Sequence, residues 1–285
     1  MPEVRSPTLR RRELGARLRA LRLERGLTVE QVAESLLCSA SKVSRMETGH
    51  GIATLRDVRD LCRIFDLTDP SQVAHLMELA REGKQQGWWQ SHELDYFATY
   101  VDLEQAATVT SYFQSSIVPG LLQTPEYARA MYQGGLPAEL TPERSDELIN
   151  VRLRRQQILT GESPPRLHTV LDEAVLHRVV GGPATMAAQL RHLVKVANMP
   201  NVTLQLIPFK TGAHPGMDNM FNILEFGDLV PPIVYAEGLM GWLYIEREHE
   251  VARYQRVFEH LRSIALNPQE SIELIFRIKS KLMSG

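Results

Sequence analysis

Residues 39–47, which read SASKVSRME, concentrate hydroxyl groups, small side chains and two cations in one short segment. Each of the following positions is small, hydroxylated or positively charged: Ala40, Ser41, Lys42, Ser44 and Arg45. Hydroxyl and cationic groups bind phosphate, and an arginine can donate two hydrogen bonds to a guanine in the major groove. The segment therefore has the chemistry of a surface that binds DNA.

Catalysis is the competing interpretation of this chain. The sequence contains no G-x-S-x-G nucleophile elbow, no G-x-x-x-x-G-K phosphate loop and no H-E-x-x-H zinc motif. Asp172 and Glu173 could be catalytic carboxylates, but acidic residues are also favoured where a helix starts. The nine histidines lack the spacing of metal ligands. We expect no catalytic residue, no metal and no cofactor, and an enzyme or ligand-processing domain anchored to DNA is the alternative.

Five helices are predicted within residues 1–85, and two of them flank a tight turn. Thr28 and Gln31 form a capping box, in which each side chain can satisfy a backbone group of the other, so a helix starts there. Ser39 is a capping residue at the start of the next, short helix. Apolar residues at helical spacing predict the other three helices, over residues 8–25, 54–65 and 69–84.

The two short helices have the pattern of a helix-turn-helix. Val43 and Met46 are expected to face inward, and Ala33 lies where the two helices must approach closely. The opposite face of the second helix then carries the small, hydroxylated and cationic side chains. A generic helical hairpin would not need this composition, so the pattern favours binding to DNA.

At these residues the chain resembles a known family. Residues 14–67 are similar to the Xre-type helix-turn-helix, the fold of phage repressors, and the stretch SKVSRMETG carries the resemblance most clearly. The resemblance implies base contacts at Ala40, Ser41 and Arg45. It implies phosphate contacts at Thr28, Gln31, Lys42 and Ser44. These seven residues and the capping Ser39 are the predicted DNA-binding set.

The resemblance also implies an internal ion pair, and the chain departs from the family pattern at one position in the turn. An arginine and a glutamate often pair inside this fold, and the matching residues here are Arg22 and Glu47. Glu47 is therefore interpreted as structural rather than as a carboxylate facing DNA. The turn usually contains glycine where this chain has Leu37, and leucine resists a positive φ. Leu37 therefore leaves open whether the turn runs as it does in the family, and the register of the following helix is open by one residue.

Beyond a hinge at Gln86 and Gly87, helices and strands are mixed. Residues 1–85 are predicted to form the helix-turn-helix domain and residues 88–285 an α+β domain with a mostly antiparallel sheet. Strands are expected near 107–113, after 165, at 202–209 and in three later runs separated by short turns. Helices are expected over 125–132, 141–160, 182–197, 251–264 and 268–282.

The second domain resembles the WhiJ-like regulators of actinobacteria. The resemblance rests on VPGLLQTPEYARAM, RLRRQQIL, LDEAVLHRVVGG, QLRHLVKVANMPNVTLQLIPF, and VYAEG followed by LYIE. These proteins have been described as similar to antitoxins and are often encoded beside a small partner protein. The resemblance implies a transcription regulator whose second domain dimerises, senses an effector or binds a partner protein. It implies no chemistry, and any ligand-binding residues are unknown.

Two groups of residues in this domain allow different interpretations. Arg152, Arg154 and Arg155 could bind DNA or an anion, but a solvated helix face is favoured because acidic residues lie upstream on the same helix. Six aromatic residues could line a ligand pocket, although core packing is the more common use of such side chains. They are Trp88, Trp89, Tyr96, Tyr112, Tyr235 and Trp242.

Composition limits the partners and the compartment. The formal net charge is -2, but residues 1–65 contain 13 Lys or Arg against 8 Asp or Glu, whereas the remainder contains 19 against 26. Screening confines charge effects to about 10 Å, so DNA needs only a local positive surface. Only Cys38 and Cys62 are present, and no segment reads as a signal peptide or membrane span. We expect a cytoplasmic homodimer that binds double-stranded DNA.

Overall fold

The computed structural model describes residues 6–85, 97–134, 141–238 and 241–284. Two compact units make up the chain. The first comprises residues 1–106 with 226–231, and the second comprises residues 107–225 with 232–285. The predicted hinge at 86–87 lies outside the described residues.

The described part of the first unit is helical. The predicted five helices are present as α1 (Pro7–Glu24), α2 (Val29–Ser35), α3 (Ala40–Glu47), α4 (Leu55–Ile64) and α5 (Pro70–Glu82), and α6 (Phe97–Ala106) follows them. Apolar residues from α1 to α5 form one core, which includes Leu18, Val32, Val43, Met46, Val58, Leu61 and Leu79. The expected inward orientation of Val43 and Met46 is confirmed.

Side-chain caps fix where these helices begin. Thr28 Oγ1 accepts from the Gln31 backbone N–H at 3.2 Å, and Gln31 Oε1 accepts from the Thr28 N–H at 2.8 Å, which confirms the predicted capping box. Ser39 Oγ accepts from the Lys42 N–H at 3.2 Å. These bonds satisfy backbone donors that the first turn of a helix leaves without intrahelical partners. The starts of α2 and α3 are therefore set by local sequence.

The turn between α2 and α3 keeps the geometry that the family usually obtains with glycine. Leu37 has φ 53°, and its side chain is 94% exposed. The Leu37 N–H donates to Glu34 and the Cys38 N–H donates to Ala33, which together form a Schellman motif. Leu37 therefore adopts the positive φ that leucine resists, and the turn closes with these two hydrogen bonds. The left-handed conformation costs about 1–2 kcal/mol for a residue with a Cβ.

Helix α6 was not predicted from the sequence. Asp102 of this helix is 1% exposed, and its Oδ2 accepts from the Thr8 N–H at 2.8 Å, at the first turn of α1. Burial raises the pKa of the Asp102 carboxyl, although hydrogen bonds from Thr8 and Ser6 oppose the shift. Helix α6 buries the acidic residues Asp102 and Glu104 as well as Tyr100. It therefore lacks the helical periodicity of apolar residues from which a surface helix is predicted.

The second unit contains a six-stranded mixed sheet. Its strands are β1 (Val109–Gln114), β2 (Arg166–Asp172), β3 (Val202–Ile207), β4 (Phe221–Glu225), β5 (Ile233–Gly238) and β6 (Gly241–Ile245). The order is β3-β2-β1-β4-β5-β6. The β1–β2 and β2–β3 pairs are parallel, and the other three pairs are antiparallel. The predicted α+β domain with a mostly antiparallel sheet is confirmed.

In the described residues of this unit, six α-helices accompany the sheet. They are α7 (Pro125–Gly134), α8 (Pro142–Gln156), α9 (Ala174–His177), α10 (Gly182–Ala197), α11 (Glu248–Ile264) and α12 (Pro268–Ser284). Residues of α10 and α12 share a core with alternate residues of β2 and β3, such as Leu171 and Leu204. Residues of α11, such as Phe258, share a second core with Val170 and Phe221. Side chains alternate between the two faces of a strand, so β1, β2 and β3 contribute residues to both cores and are buried between helical layers.

Within the described ranges, no helix is long and apolar enough to cross a membrane.

Candidate nucleic-acid interface

Helix α3 presents one buried face and one exposed face. Val43, Met46 and Glu47 are buried. Ser41, Lys42, Ser44 and Arg45 are exposed, whereas Ala40 is half-buried and packs against the core. Residues 39–47, all of which the structure describes, thus place no carboxylate on the exposed face. The structure brings the predicted base-reading residues to one surface, and Ala40 is the least accessible of them.

Glu47 is held away from this surface by Arg22 of α1. Arg22 Nε donates to Glu47 Oε1 at 2.6 Å, and Arg22 Nη2 donates to Oε2 at 2.9 Å. Arg22 Nη1 also donates to the Leu27 carbonyl at 2.8 Å. Hydrogen bonding to Glu47 raises the pKa of Arg22 against the effect of burial. The expected internal pair is confirmed, and it removes the one carboxylate of α3 from the groove-facing side.

Thr28 and Gln31 are exposed at the start of α2. Their side-chain oxygens are already engaged as acceptors in the capping box. The Gln31 amide NH₂ and the Thr28 hydroxyl hydrogen are donor groups, and a phosphate oxygen is an acceptor. The cap leaves the Gln31 amide NH₂ available to a phosphate, whereas the Thr28 hydroxyl also hydrogen-bonds to the Glu30 carboxylate, with which a phosphate would have to compete.

Lys42 is engaged in an ion pair with α4. Lys42 Nζ lies 2.6 Å from Asp57 Oδ1, and the Lys42 side chain is 44% exposed. Burial alone would raise the pKa of the Asp57 carboxyl, but hydrogen bonds from Lys42 and Thr54 outweigh it and lower that pKa. Asp57 Oδ2 also accepts from the Thr54 N–H at 2.9 Å, as part of a second capping box. A phosphate would therefore have to compete with Asp57 for the Lys42 ammonium group.

Arg45 lies beside a concave surface of about 280 Å³. The concavity is bounded by α3 and the following loop, and is lined by Ser39, Ser41, Lys42, Arg45, Met46, Gly51 and Ile52. Arg45 Nη2 donates to the His50 carbonyl at 3.5 Å, a long and therefore weak hydrogen bond. The Arg45 guanidinium can leave this carbonyl for a base edge at little cost.

Helix α4 adds cations that the sequence analysis did not single out. The side chains of Arg56, Arg59 and Arg63 are 85%, 55% and 75% exposed, and all three lie 3.5–3.7 Å from Asp60. Their spacing of three, four and seven residues puts them on one side of a helix, a signal that could have been used. Arg10 and Arg22, in contrast, are bound in ion pairs with buried carboxylates. The positive charge of the first 65 residues is therefore less available to DNA than its total suggests.

Comparison with protein families agrees with this geometry. Residues 13–76 match the family described as Helix-turn-helix domain, a range that runs from within α1 to the middle of α5. Residues 97–277 match the family described as Domain of unknown function (DUF5753), which is more than half of the chain. The chain belongs to the DUF5753 family. No curated protein and no solved structure shows a significant match to it.

The DUF5753 match begins with α6, although this helix lies in the first compact unit. Asp102 binds the first turn of α1, as described above. The two divisions of the chain therefore differ by α6 and by residues 226–231. A fragment that is intended to contain the complete helical unit should extend to Ala106.

Acidic and histidine side chains meet at the end of β2 in the DUF5753 domain. His214 Nε2 lies 3.1 Å from Asp172 Oδ2, and His214 Nδ1 accepts from the Gly216 N–H at 3.2 Å. Glu173 Oε2 accepts from the Phe209 N–H at 2.8 Å, and its Oε1 lies 3.1 Å from His177 Nε2. The sequence did not predict these contacts. These contacts attach the segment after β3 to the end of β2. The His214 side chain is 3% exposed, and both of its ring nitrogens have hydrogen-bond partners.

The arginine cluster on α8 has a structural role in the DUF5753 domain. Arg152 Nη1 donates to Gln123 Oε1 at 2.8 Å, and Nη2 donates to the Tyr132 hydroxyl at 2.9 Å. Arg155 is 6% exposed, whereas Arg154 is exposed. Interpreting all three as a solvated helix face is therefore wrong for Arg152 and Arg155. These contacts cannot be predicted from helical spacing alone, because Gln123 and Tyr132 lie 29 and 20 residues from Arg152 in the chain.

Three of the six aromatic residues lie in the described part of the chain, and two of these are in the interior. Tyr112 and Tyr235 are each 2% exposed, Trp242 is half-buried, and burial raises the pKa of Tyr235. Trp88, Trp89 and Tyr96 lie outside the described residues. Core packing is confirmed for the two tyrosines, and a ligand pocket stays a hypothesis.

Neither cysteine is in a disulfide, and burial raises the pKa of the Cys62 thiol. Among the described residues, no group of three or more His, Cys, Asp or Glu is arranged to hold a metal ion.

Proposed function

We propose that this chain is a sequence-specific transcription regulator that reads double-stranded DNA with α3. The observation that carries the proposal is the exposed face of α3, on which Ser41, Lys42, Ser44 and Arg45 stand without a carboxylate because Arg22 retains Glu47. Arg45 would donate to a guanine, and the hydroxyl groups would bind bases or phosphates. The protein would be of the Xre type and the WhiJ-like group, and would act in the cytoplasm.

The regulator would act as a homodimer. A single helix-turn-helix makes a small interface, and two linked copies gain affinity through effective concentration. Two copies of α3 would then read half-sites about 34 Å apart, one turn of DNA. The DUF5753 domain would pair the two chains and respond to a small-molecule effector or a small partner protein, so that binding there changes the spacing of the two readers.

The alternative is an enzyme domain anchored to DNA, and we favour a non-enzymatic role. Asp172 is hydrogen-bonded to His214, and Glu173 accepts from the Phe209 N–H. The His214 side chain is also nearly inaccessible to solvent. A general base needs access to the proton that it removes, either directly or through water. The same contacts fit a structural role at the end of β2.

Selection from random duplex DNA with the full-length chain tests the proposal. The expected product is one inverted repeat whose half-site centres are about 10 base pairs apart, bound by two chains. Binding that is equal on all sequences, or one chain on a single site, would contradict it. Arg154→Ala is a suitable control, because it removes an exposed cation from the DUF5753 domain and should leave the selected sequence unchanged.

The pairing role of the DUF5753 domain is tested with fragments. Residues 1–106, which retain α6, should be monomeric and bind the selected sequence more weakly than the full chain. Residues 107–285 should be dimeric and should not bind DNA. Light scattering and mobility shift measure both properties. A monomeric second fragment, or undiminished affinity of the first, would show that the DUF5753 domain does not set the spacing.

A further inference from the structure

The concavity beside Arg45 has one accessible apolar wall. Among the residues that line it, Met46 is only 2% exposed, whereas Ile52 is 50% exposed. The remaining lining residues are Ser39 and Ser41, which carry hydroxyl groups, the cationic Lys42 and Arg45, and Gly51. Ile52 is thus the accessible apolar side chain among polar and cationic groups, and an apolar group of a ligand that covers it would be stabilised there.

The backbone holds Ile52 in a fixed place relative to Arg45. The Gly51 N–H donates to the Arg45 carbonyl at 2.7 Å. A Cβ on Gly51 would lie 3.1 Å from Arg45 Cβ, so the loop passes against α3 at a distance that suits glycine. Ala53, on the other side of Ile52, is 6% exposed in the core of this unit. Ile52 is thus anchored on both sides, and its β-branched side chain has few rotamers to lose on binding.

We propose that Ile52 contacts the C5-methyl group of a thymine adjacent to the guanine that Arg45 reads. The inference rests on the proposed DNA-reading function and adds a base to it. Thymine is the one base that presents a methyl group in the major groove, where it is matched by apolar side chains. The concavity therefore accepts a guanine edge at Arg45 and a methyl group at Ile52, while Ser41 and Lys42 line the polar remainder.

The test combines a protein change with the removal of that one methyl group. Duplexes carry uracil in place of each thymine of the selected half-site in turn, and affinities are measured for the full-length wild type and Ile52→Ala. One thymine next to the Arg45-dependent guanine should lose about fourfold in wild-type affinity on replacement by uracil, which corresponds to one buried methyl group. Ile52→Ala should bind the thymine and uracil duplexes equally.

Ile52→Val is the matched control, since it keeps a branched apolar side chain and should keep most of the discrimination between thymine and uracil. If Ile52→Ala lowers the melting temperature, Ile52→Val still reports whether the side chain discriminates thymine from uracil. Equal thymine-to-uracil ratios for wild type and Ile52→Ala, or no thymine next to that guanine, would overturn the inference. If Arg45 still selects a guanine in that case, the proposed function survives. If no sequence is preferred at all, both fail.

Discussion

Lys42 Nζ and Asp57 Oδ1 lie 2.6 Å apart and join α3 to α4 at the edge of the candidate DNA-reading face. A cation that contacts phosphate normally contributes about one unit to the salt dependence of DNA binding, because it releases a counterion. Lys42 already has a protein counterion in Asp57. Its net contribution to that salt dependence should therefore be smaller than one unit, and Asp57 should weaken binding to any sequence.

Asp57→Asn tests this relationship. The amide oxygen can still accept from the Thr54 N–H, so the start of α4 is preserved while Lys42 loses its counterion. We expect higher affinity for all sequences and a salt slope steeper by up to about one unit. Glu24→Gln is the control of equal charge change, on an exposed part of α1. Equal slopes for Asp57→Asn and Glu24→Gln would show that the ion pair has no specific effect on DNA binding.

The same pair predicts a dependence of stability on pH. The pKa of Asp57 in the folded chain is lower than the ordinary value of 3.8. A carboxyl with a depressed pKa stabilises the fold above its unfolded pKa, and that contribution is lost as the pH falls through the folded pKa. Urea midpoints should therefore fall less steeply below pH 3.8 for Asp57→Asn than for the wild type. Parallel acid limbs for the two proteins would contradict the assignment.

Breaking the Arg22–Glu47 pair should be costly. Both side chains are nearly buried, so Glu47→Ala leaves an unpaired guanidinium and is expected to lower the free energy of unfolding by about 3 kcal/mol. Changing both residues, as Arg22→Met with Glu47→Leu, should recover much of that loss because no buried charge remains. Denaturant unfolding of the single and double variants measures this. A single variant as stable as the wild type would show that the pair does not hold α1 against α3.

Leu37→Gly should stabilise the chain, which is unusual for a change to glycine. Relief of the left-handed strain outweighs the added freedom of the unfolded chain, and the expected gain is about 0.5–1 kcal/mol. Glu34→Gly is the control at an exposed, helical position of α2 and should destabilise. A lower melting temperature for Leu37→Gly would mean that the exposed leucine makes contacts that outweigh its backbone strain.

The sequence could predict contacts between residues that are close together in the chain, but not those between distant residues. The capping box of Thr28 and Gln31 involves residues three apart, so local spacing was sufficient to place α2. The contact between Lys42 and Asp57 joins two helices across 15 residues, and either residue alone reads as an ordinary surface charge. Arg152 has the same character, because its partners Gln123 and Tyr132 come from another segment. Local signals predicted the elements, whereas the availability of each charge depends on tertiary contacts.

Base reading by α3 is tested best by substitution of Arg45. Arg45→Ala in the full-length chain is compared with the wild type on the selected duplex and on variants of each base pair. If α3 reads bases, Arg45→Ala should lose about 1–3 kcal/mol of binding free energy on the selected sequence. It should also lose the preference for guanine at one position in each half-site. An equal loss of affinity on every sequence would show that Arg45 touches only phosphate and would contradict the claim.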